Sequence, residues 1–192
     1  MHEIIPFSTS IFVDTLYDTD KLIEKIREIR DADDEKIQVS NYGGWQSPYG
    51  MQKNLMTQHL FLQPFMSQIA IRLKTIYEQY GYDHYPILDN YWFNINKKYN
   101  YNLQHHHGKC LFSAVLYLKV PKDSGRIMFK RTDGMSYWCN FDRLTEKNFL
   151  LYHVNPGPGI LVMFPAFMDH YVEQNLTEEE DDERISIAMN FN

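Results

Sequence analysis

The hydrophobic period of this chain changes near residue 84, and that change limits its fold more than any other feature. Beyond it Tyr91, Phe93 and Ile95 alternate with Trp92, Asn94 and Asn96, the period of two of a strand with one wet face. Further strands are predicted over Leu111–Val120, Arg126–Arg131, Tyr137–Phe141, Leu150–Val154, Ile160–Phe164, Tyr171–Asn175 and Arg184–Phe191. Turn residues such as Asp123-Ser124-Gly125, Asp133-Gly134 and Pro156-Gly157-Pro158-Gly159 separate them. Evenly spaced short strands without intervening helices predict a β-sandwich or jelly roll.

Before residue 84 the period is helical. Leu22, Ile23, Ile26 and Ile29 form one apolar stripe, with Asp18 or Thr19 as N-cap. A second stripe, Leu62, Phe65, Met66, Ile69, Leu73, Ile76, Tyr77 and Tyr80, opens with Pro64 and closes at Gly81. Residues 34–57 between them read as a long loop carrying Gly43-Gly44-Trp45-Gln46-Ser47. The expected fold is mainly β with N-terminal helices packed outside a jelly-roll core. It forms one domain over residues 1–192, with 1–83 as helical support and loop and 84–192 as the core. Glu178–Glu183 reads as a solvated acidic hairpin loop.

Composition narrows the function classes. A net charge of -6 lacks the basic footprint of non-specific nucleic-acid binding, so no nucleic-acid partner is expected. Two cysteines, Cys110 and Cys139, give no disulfide framework and read as small core residues in a reducing compartment. No apolar run approaches the ~20 residues of a membrane span, and the first ten residues lack the pattern of a secretory signal. The expectation is a cytoplasmic protein with no membrane partner.

Three of the eight histidines are consecutive, His105-His106-His107. In extended chain, side chains two apart share a face, so His105 and His107 can converge on one metal ion while His106 points away. One further ligand completes a facial triad with open coordination positions, and His170, after the Ile160–Phe164 strand, is the candidate. A wet turn with three unrelated histidines fits the triplet equally well. In the last strand Ile185, Ile187, Met189 and Phe191 share one face, and Arg184 and Ser186 share the other. An arginine fork beside a hydroxyl suits a bound carboxylate, although an ion pair with the nearby acidic loop would also explain the arginine.

The order HxH, distal His and Arg-x-Ser resembles the 2-oxoglutarate and Fe(II)-dependent oxygenases with a double-stranded β-helix (cupin-like jelly-roll) core, and most closely a family of them found in bacteria and phages. Further support comes from Trp92-Phe93-Asn94, the Phe112–Pro121 run, Pro156-Gly157-Pro158-Gly159 through Phe164-Pro165, and Arg184-Ile185-Ser186-Ile187. The resemblance implies Fe(II), 2-oxoglutarate and O2 as cofactor and cosubstrates. It implies His105, His107 and His170 as iron ligands, and Arg184 and Ser186 as the pair that holds the distal carboxylate of 2-oxoglutarate. Tyr117 stands where relatives place a further donor to that carboxylate, and Asn94 where a side chain could reach the metal-proximal end of the cosubstrate. Trp45, Gln46 and Trp92 are the candidates for substrate contact. The superfamily usually carries HxD or HxE; with histidine at residue 107, three neutral imidazoles leave the centre at +2 instead of +1, which alters redox tuning and metal preference.

The implied reaction is hydroxylation of an unactivated C–H bond, with a prolyl or other amino-acid side chain, free or in a peptide or protein, as substrate. No Gly-x-Ser-x-Gly elbow or Cys-His dyad competes with that reading. Two other classes share the roll: a metal-dependent cupin without cosubstrate, which has no use for Arg184 and Ser186, and a non-catalytic binding module, which needs no metal.

Overall fold

A computed structural model describes residues 2, 8–35, 37–133, 141–145 and 147–192. In chain order the elements are β1 (Phe12–Thr15), α1 (Lys21–Asp31), β2 (Asn41–Tyr42), β3 (Trp45–Gln46), α2 (Gln52–Thr57), a 3-10 turn (Leu60–Leu62), α3 (Gln63–Gln79), β4 (Leu88–Asn96), β5 (Tyr101–His105), β6 (Phe112–Lys119), β7 (Ile127–Lys130), β8 (Leu151–Val154), β9 (Ile160–Pro165), β10 (His170–Val172) and β11 (Arg184–Phe191). Two antiparallel sheets face each other. The larger runs β1-β9-β6-β11-β4-β3 and the smaller β2-β5-β10-β7-β8. Because β9 and β10 are neighbours in sequence but lie in different sheets, the chain crosses between the sheets as a jelly roll requires.

The alternation of β11 fixes which residues look where. Ile185, Ile187, Met189 and Phe191 join Phe93, Ile95 and Leu116 in a core that also contains Leu22 and Ile26 of α1 and Phe65, Ile69, Leu73, Ile76 and Tyr77 of α3. The helices therefore cover the outer face of the larger sheet, as their stripes predict. The inner face carries Tyr117, Val162 and Phe164, which pack with Ile127 and Phe129 of the smaller sheet. Arg184 and Ser186 project from that inner face into the space between the sheets.

Helix α3 begins with Pro64 in its first turn and gives way to Gly81 at φ 82°, a conformation without steric cost only for glycine. The N-cap of α1 is Asp20, one or two residues later than predicted. Its side chain makes no capping bond, and the Thr19 carbonyl starts the turn by accepting from Leu22 N. Residues 34–57 are not one loop. They contain β2, β3 and α2, whose short pairings are set by the edges of β5 and β4 and leave no periodic signature. Strands β1 and β5 also escaped the sequence reading, β1 being a mostly exposed edge strand. The predicted Tyr137–Phe141 strand and Cys139 lie outside the described residues, except Phe141. Loop Glu178–Glu183 is a solvated acidic turn as expected, with Lys119, Lys97 and Lys122 around it, but its last residue, Glu183, is buried.

Candidate active site

The smaller sheet brings the three histidines together. His170 opens β10 and pairs with His105 at the end of β5 on one side and with Phe129 of β7 on the other. His107 lies two residues past β5, held by its own N–H donating to the Ala166 carbonyl. The ring centroids of His105 and His170 are 4.4 Å apart, and those of His107 lie 5.0 and 5.2 Å from the two. One ring nitrogen from each lies within 4.8 Å of the others, a spacing one ion can bridge. His106 turns outward as strand parity predicts, exposed and facing the Asp169 carboxylate at 3.4 Å.

Tautomer and charge suit ligation. His105 Nδ1 donates to the Leu103 carbonyl (2.7 Å) and His170 Nδ1 to the Met168 carbonyl (2.9 Å), which leaves each Nε2 with a free lone pair. Burial among Phe164, Phe129 and the other imidazoles pushes His170 down to about 3, and burial, reinforced by the neighbouring imidazoles, pushes His107 down to about 4; burial lowers His105 as well. All three are therefore neutral near pH 7, the form that binds metal without first losing a proton. The donor set, three imidazoles on one side of a cavity, fits a divalent first-row metal with positions left open.

The opposite wall is the inner face of the larger sheet, in ladder rows. Gln46, Asn94, Ser186 and Tyr117 are cross-strand partners along β3, β4, β11 and β6. Trp92, Ala188 and Val115 form the adjacent row, and Asn96 pairs with Arg184 at the far end. The indole of Trp92 packs against His107 at 5.6 Å between centroids. One cavity is lined by the triad, Trp92, Asn94, Asn96, Tyr117, Arg184 and Ser186.

That cavity is unbalanced without a guest. Arg184 is 2% exposed. Its Nη1 donates to the Ser124 carbonyl and, at 3.4 Å, to that of Glu173, whereas Nη2 has no acceptor among the described residues. Among the described residues no carboxylate forms an ion pair with it: Glu173 is held by Arg126, and neighbouring Glu183 by Arg27 and Arg30 of α1. The ion pair with the acidic loop that could have explained this arginine is therefore absent. Tyr117 Oη, Asn94 Oδ1 and Asn96 Nδ2 are also buried without partners among the described residues, and burial holds the Tyr117 hydroxyl protonated with its pKa up at about 12. An uncompensated buried guanidinium costs several kcal/mol, and three orphaned donors beside one another fit the oxygens of a carboxylate.

Of the residues singled out from sequence, Trp45 does not reach this cavity. Its Nε1 donates to Asp33 Oδ2 (2.9 Å) and its ring packs against the helix-side core, because on β3 it shares a face with Ile95, not with Asn94. Gln46, on the other face, is buried and lines a second cavity over the histidines with Trp92. Asn96 was missed, although its parity with Asn94 was the available signal.

A family model described as "Putative 2OG-Fe(II) oxygenase" matches residues 90–190. No curated protein matches the chain. Among solved structures the fold is similar to a prolyl-4-hydroxylase of Pseudomonas putida (TM-score 0.63, 18% identity, covering 96% of this chain and 93% of that one). It is also similar to a viral collagen prolyl hydroxylase of Paramecium bursaria Chlorella virus-1 in its 2OG complex (0.62, 12%, 94% of each chain). A third similar structure is SnoN, an alpha-ketoglutarate-dependent epimerase from nogalamycin biosynthesis (0.64, 13%, covering 95% of this chain and 76% of that one). At these identities the structural likeness establishes the jelly-roll fold, and the family model, spanning β4 to β11 with every candidate ligand, carries the assignment. The chain belongs to the 2OG-Fe(II) oxygenase family.

Proposed function

We propose that this chain is a single-domain hydroxylase of an unactivated C–H bond, with His105, His107 and His170 as the Fe(II) ligands and Arg184 as the anchor of 2-oxoglutarate. The observation that carries the reading is the buried, unpaired Arg184 in the same cavity as three neutral imidazoles. A cupin without cosubstrate would have no use for that charge, and a binding module would not sustain both features. When bound, Fe(II) and 2-oxoglutarate supply the oxidative chemistry, consuming O2 and releasing succinate and carbon dioxide.

The chain's own residues bind, orient and exclude water. Arg184 Nη2 and the Tyr117 hydroxyl would hold the distal carboxylate, with Ser186 beside them, in the cavity that the triad also lines. Asn94, in the same row as Ser186 and Tyr117 and with its Oδ1 unpartnered among the described residues, would contact the keto-acid end. Trp92 covers the His107 side and, with Gln46, faces the substrate. No side chain need act as general base or nucleophile. The substrate on this reading is an amino-acid side chain, with proline the leading candidate because prolyl hydroxylases share the fold at full length. Among the described residues no helix is long and apolar enough to cross a membrane, and the cysteine usage fits an enzyme of the cytoplasm.

Anaerobic titration with Fe(II), with and without 2-oxoglutarate, tests this. A visible charge-transfer band only when both are present supports the oxygenase, Fe(II) binding without the band points to a cupin, and no Fe(II) binding removes both readings.

A further inference from the structure

A second cavity opens outside the triad. It shares Ser40, Trp92, His105 and His107 with the cosubstrate cavity and is completed by Val39, Gln46, Tyr49, Leu103, Gln104 and His106. Its rim is apolar yet wet: Val39 is 59% exposed, Leu103 51% and Tyr49 47%. Tyr49 meets the Trp92 indole edge-on at 5.4 Å, so the rim and the wall beside His107 form one aromatic corner.

The charge of this cavity is informative. None of the described residues lining it is Asp, Glu, Lys or Arg. The Asp169 carboxylate, which contacts two of the lining residues, is occupied by Gln104 Nε2 at 3.2 Å and by His106. A free amino acid would bring an ammonium and a carboxylate here with no counter-charge, and desolvating either without a partner is costly. A residue inside a polypeptide brings neutral amides instead, which Gln46 and Ser40 can match. The rim continues into β2, the outermost strand of its sheet, whose far backbone edge pairs with no strand among the described residues. Such an edge suits an extended chain.

We propose that the outer cavity receives a neutral side chain of an extended polypeptide, not a free amino acid or charged metabolite, with Tyr49, Trp92 and Leu103 as its specificity-determining contacts. This rests on the oxygenase reading only for the chemistry after binding. The test incubates the protein, metal-free and again loaded anaerobically with Fe(II) and 2-oxoglutarate, with two panels. One holds N-acetylated, C-amidated pentapeptides carrying each neutral residue in turn at the centre; the other holds the same residues as free amino acids. Compounds retained on ultrafiltration are identified by mass spectrometry. Blocked peptides should be retained in preference to free amino acids, and Tyr49→Ala and Leu103→Asp should each reduce retention by about fivefold or more. Retention of free amino acids instead, retention of neither panel, or peptide retention unchanged in both variants would overturn the proposal. Absence of the chelate band in the loaded sample counts against the oxygenase reading alone, because the metal-free arm still reads the cavity.

Discussion

Arg184 and Asn96 are direct cross-strand partners on β11 and β4 that line the same cavity, and among the described residues neither Arg184 Nη2 nor Asn96 Nδ2 has an acceptor. Two orphaned donors at one end of a site whose other end holds three neutral imidazoles give it two unlike ends, one suited to an anion and the other to a metal.

Arg184→Ala should therefore lose 2-oxoglutarate affinity by roughly 1.5–3 kcal/mol, the range for a hydrogen bond to a charged group. Because the guest satisfies a buried charge, 2-oxoglutarate should raise the melting temperature of the wild-type protein, through its preferential binding to the folded state. Calorimetric titration and thermal unfolding check the two expectations, and an Arg184→Ala variant with undiminished affinity would remove this arginine from the cosubstrate site.

Asn96 separates a donor role from mere packing. Asn96→Asp replaces a donor by a carboxylate of nearly the same shape facing Arg184, so it should neutralise the guanidinium internally and repel a second carboxylate. It should lower 2-oxoglutarate affinity more than Asn96→Ala, which removes only one neutral contact worth about 1 kcal/mol. Isothermal titration of both variants gives the order, and undiminished affinity in both would show that Asn96 makes no contact with the anion.

These residues also show what could be read from the chain. Strict alternation in β11 was enough to put Arg184 and Ser186 on the face opposite Ile185 and Ile187, and HxH parity was enough to turn His106 out. Both follow from the period of two and need no tertiary information. Trp45 and Gln46 could not be divided that way, because β3 is two residues long and its facing is decided by pairing with Ile95 and Asn94 far along the chain. That Arg184 has no carboxylate partner among the described residues was likewise illegible: it depends on Glu183 turning to Arg27 and Arg30, and on Glu173 turning to Arg126.

The metal-free protein should lose stability as pH falls below neutrality. His107 and His170 titrate in the folded state at about 4 and about 3, below the usual 6.5, so between those values the unfolded chain binds protons that the folded chain does not. Each such histidine then makes stability rise with pH by up to about 1.4 kcal/mol per pH unit. Urea midpoints between pH 7 and 4.5 should fall, and should fall less steeply in His107→Asn. A slope unchanged in that variant would contradict the buried neutral state. At constant pH, His107→Ala and His170→Ala should each abolish stoichiometric Fe(II) binding.

Glu183 joins α1 to the start of β11. Its carboxylate, 7% exposed, accepts from Arg27 Nε at 3.1 Å and from Arg30 Nη1 at 2.6 Å. Glu183→Gln leaves two guanidinium groups facing a neutral amide, and removing one partner of a buried pair typically costs about 3–5 kcal/mol. The arginines here are about a quarter exposed, so water softens the loss to roughly 1–3 kcal/mol. Denaturant unfolding measures it, and a change below about 0.5 kcal/mol would assign the contact to the solvated surface.

Gly44 tests whether the Gly-Gly loop supports the cosubstrate site without touching the cosubstrate. A Cβ at this position would lie 2.5 Å from Asn96 Nδ2 and 3.0 Å from the Ile95 carbonyl, so either the loop or the Asn96 amide must move. The loop is fixed by Asn41 Nδ2 donating to the Gly44 carbonyl at 3.0 Å and by the adjoining β3–β4 pairing, which leaves the Asn96 side chain as the softer partner. Gly44→Ala should therefore displace Asn96 and weaken 2-oxoglutarate binding about as much as Asn96→Ala does. Combining the two substitutions should cost little more than either alone, since they act through one amide. Fully additive losses would mean that Gly44 is required for the loop itself.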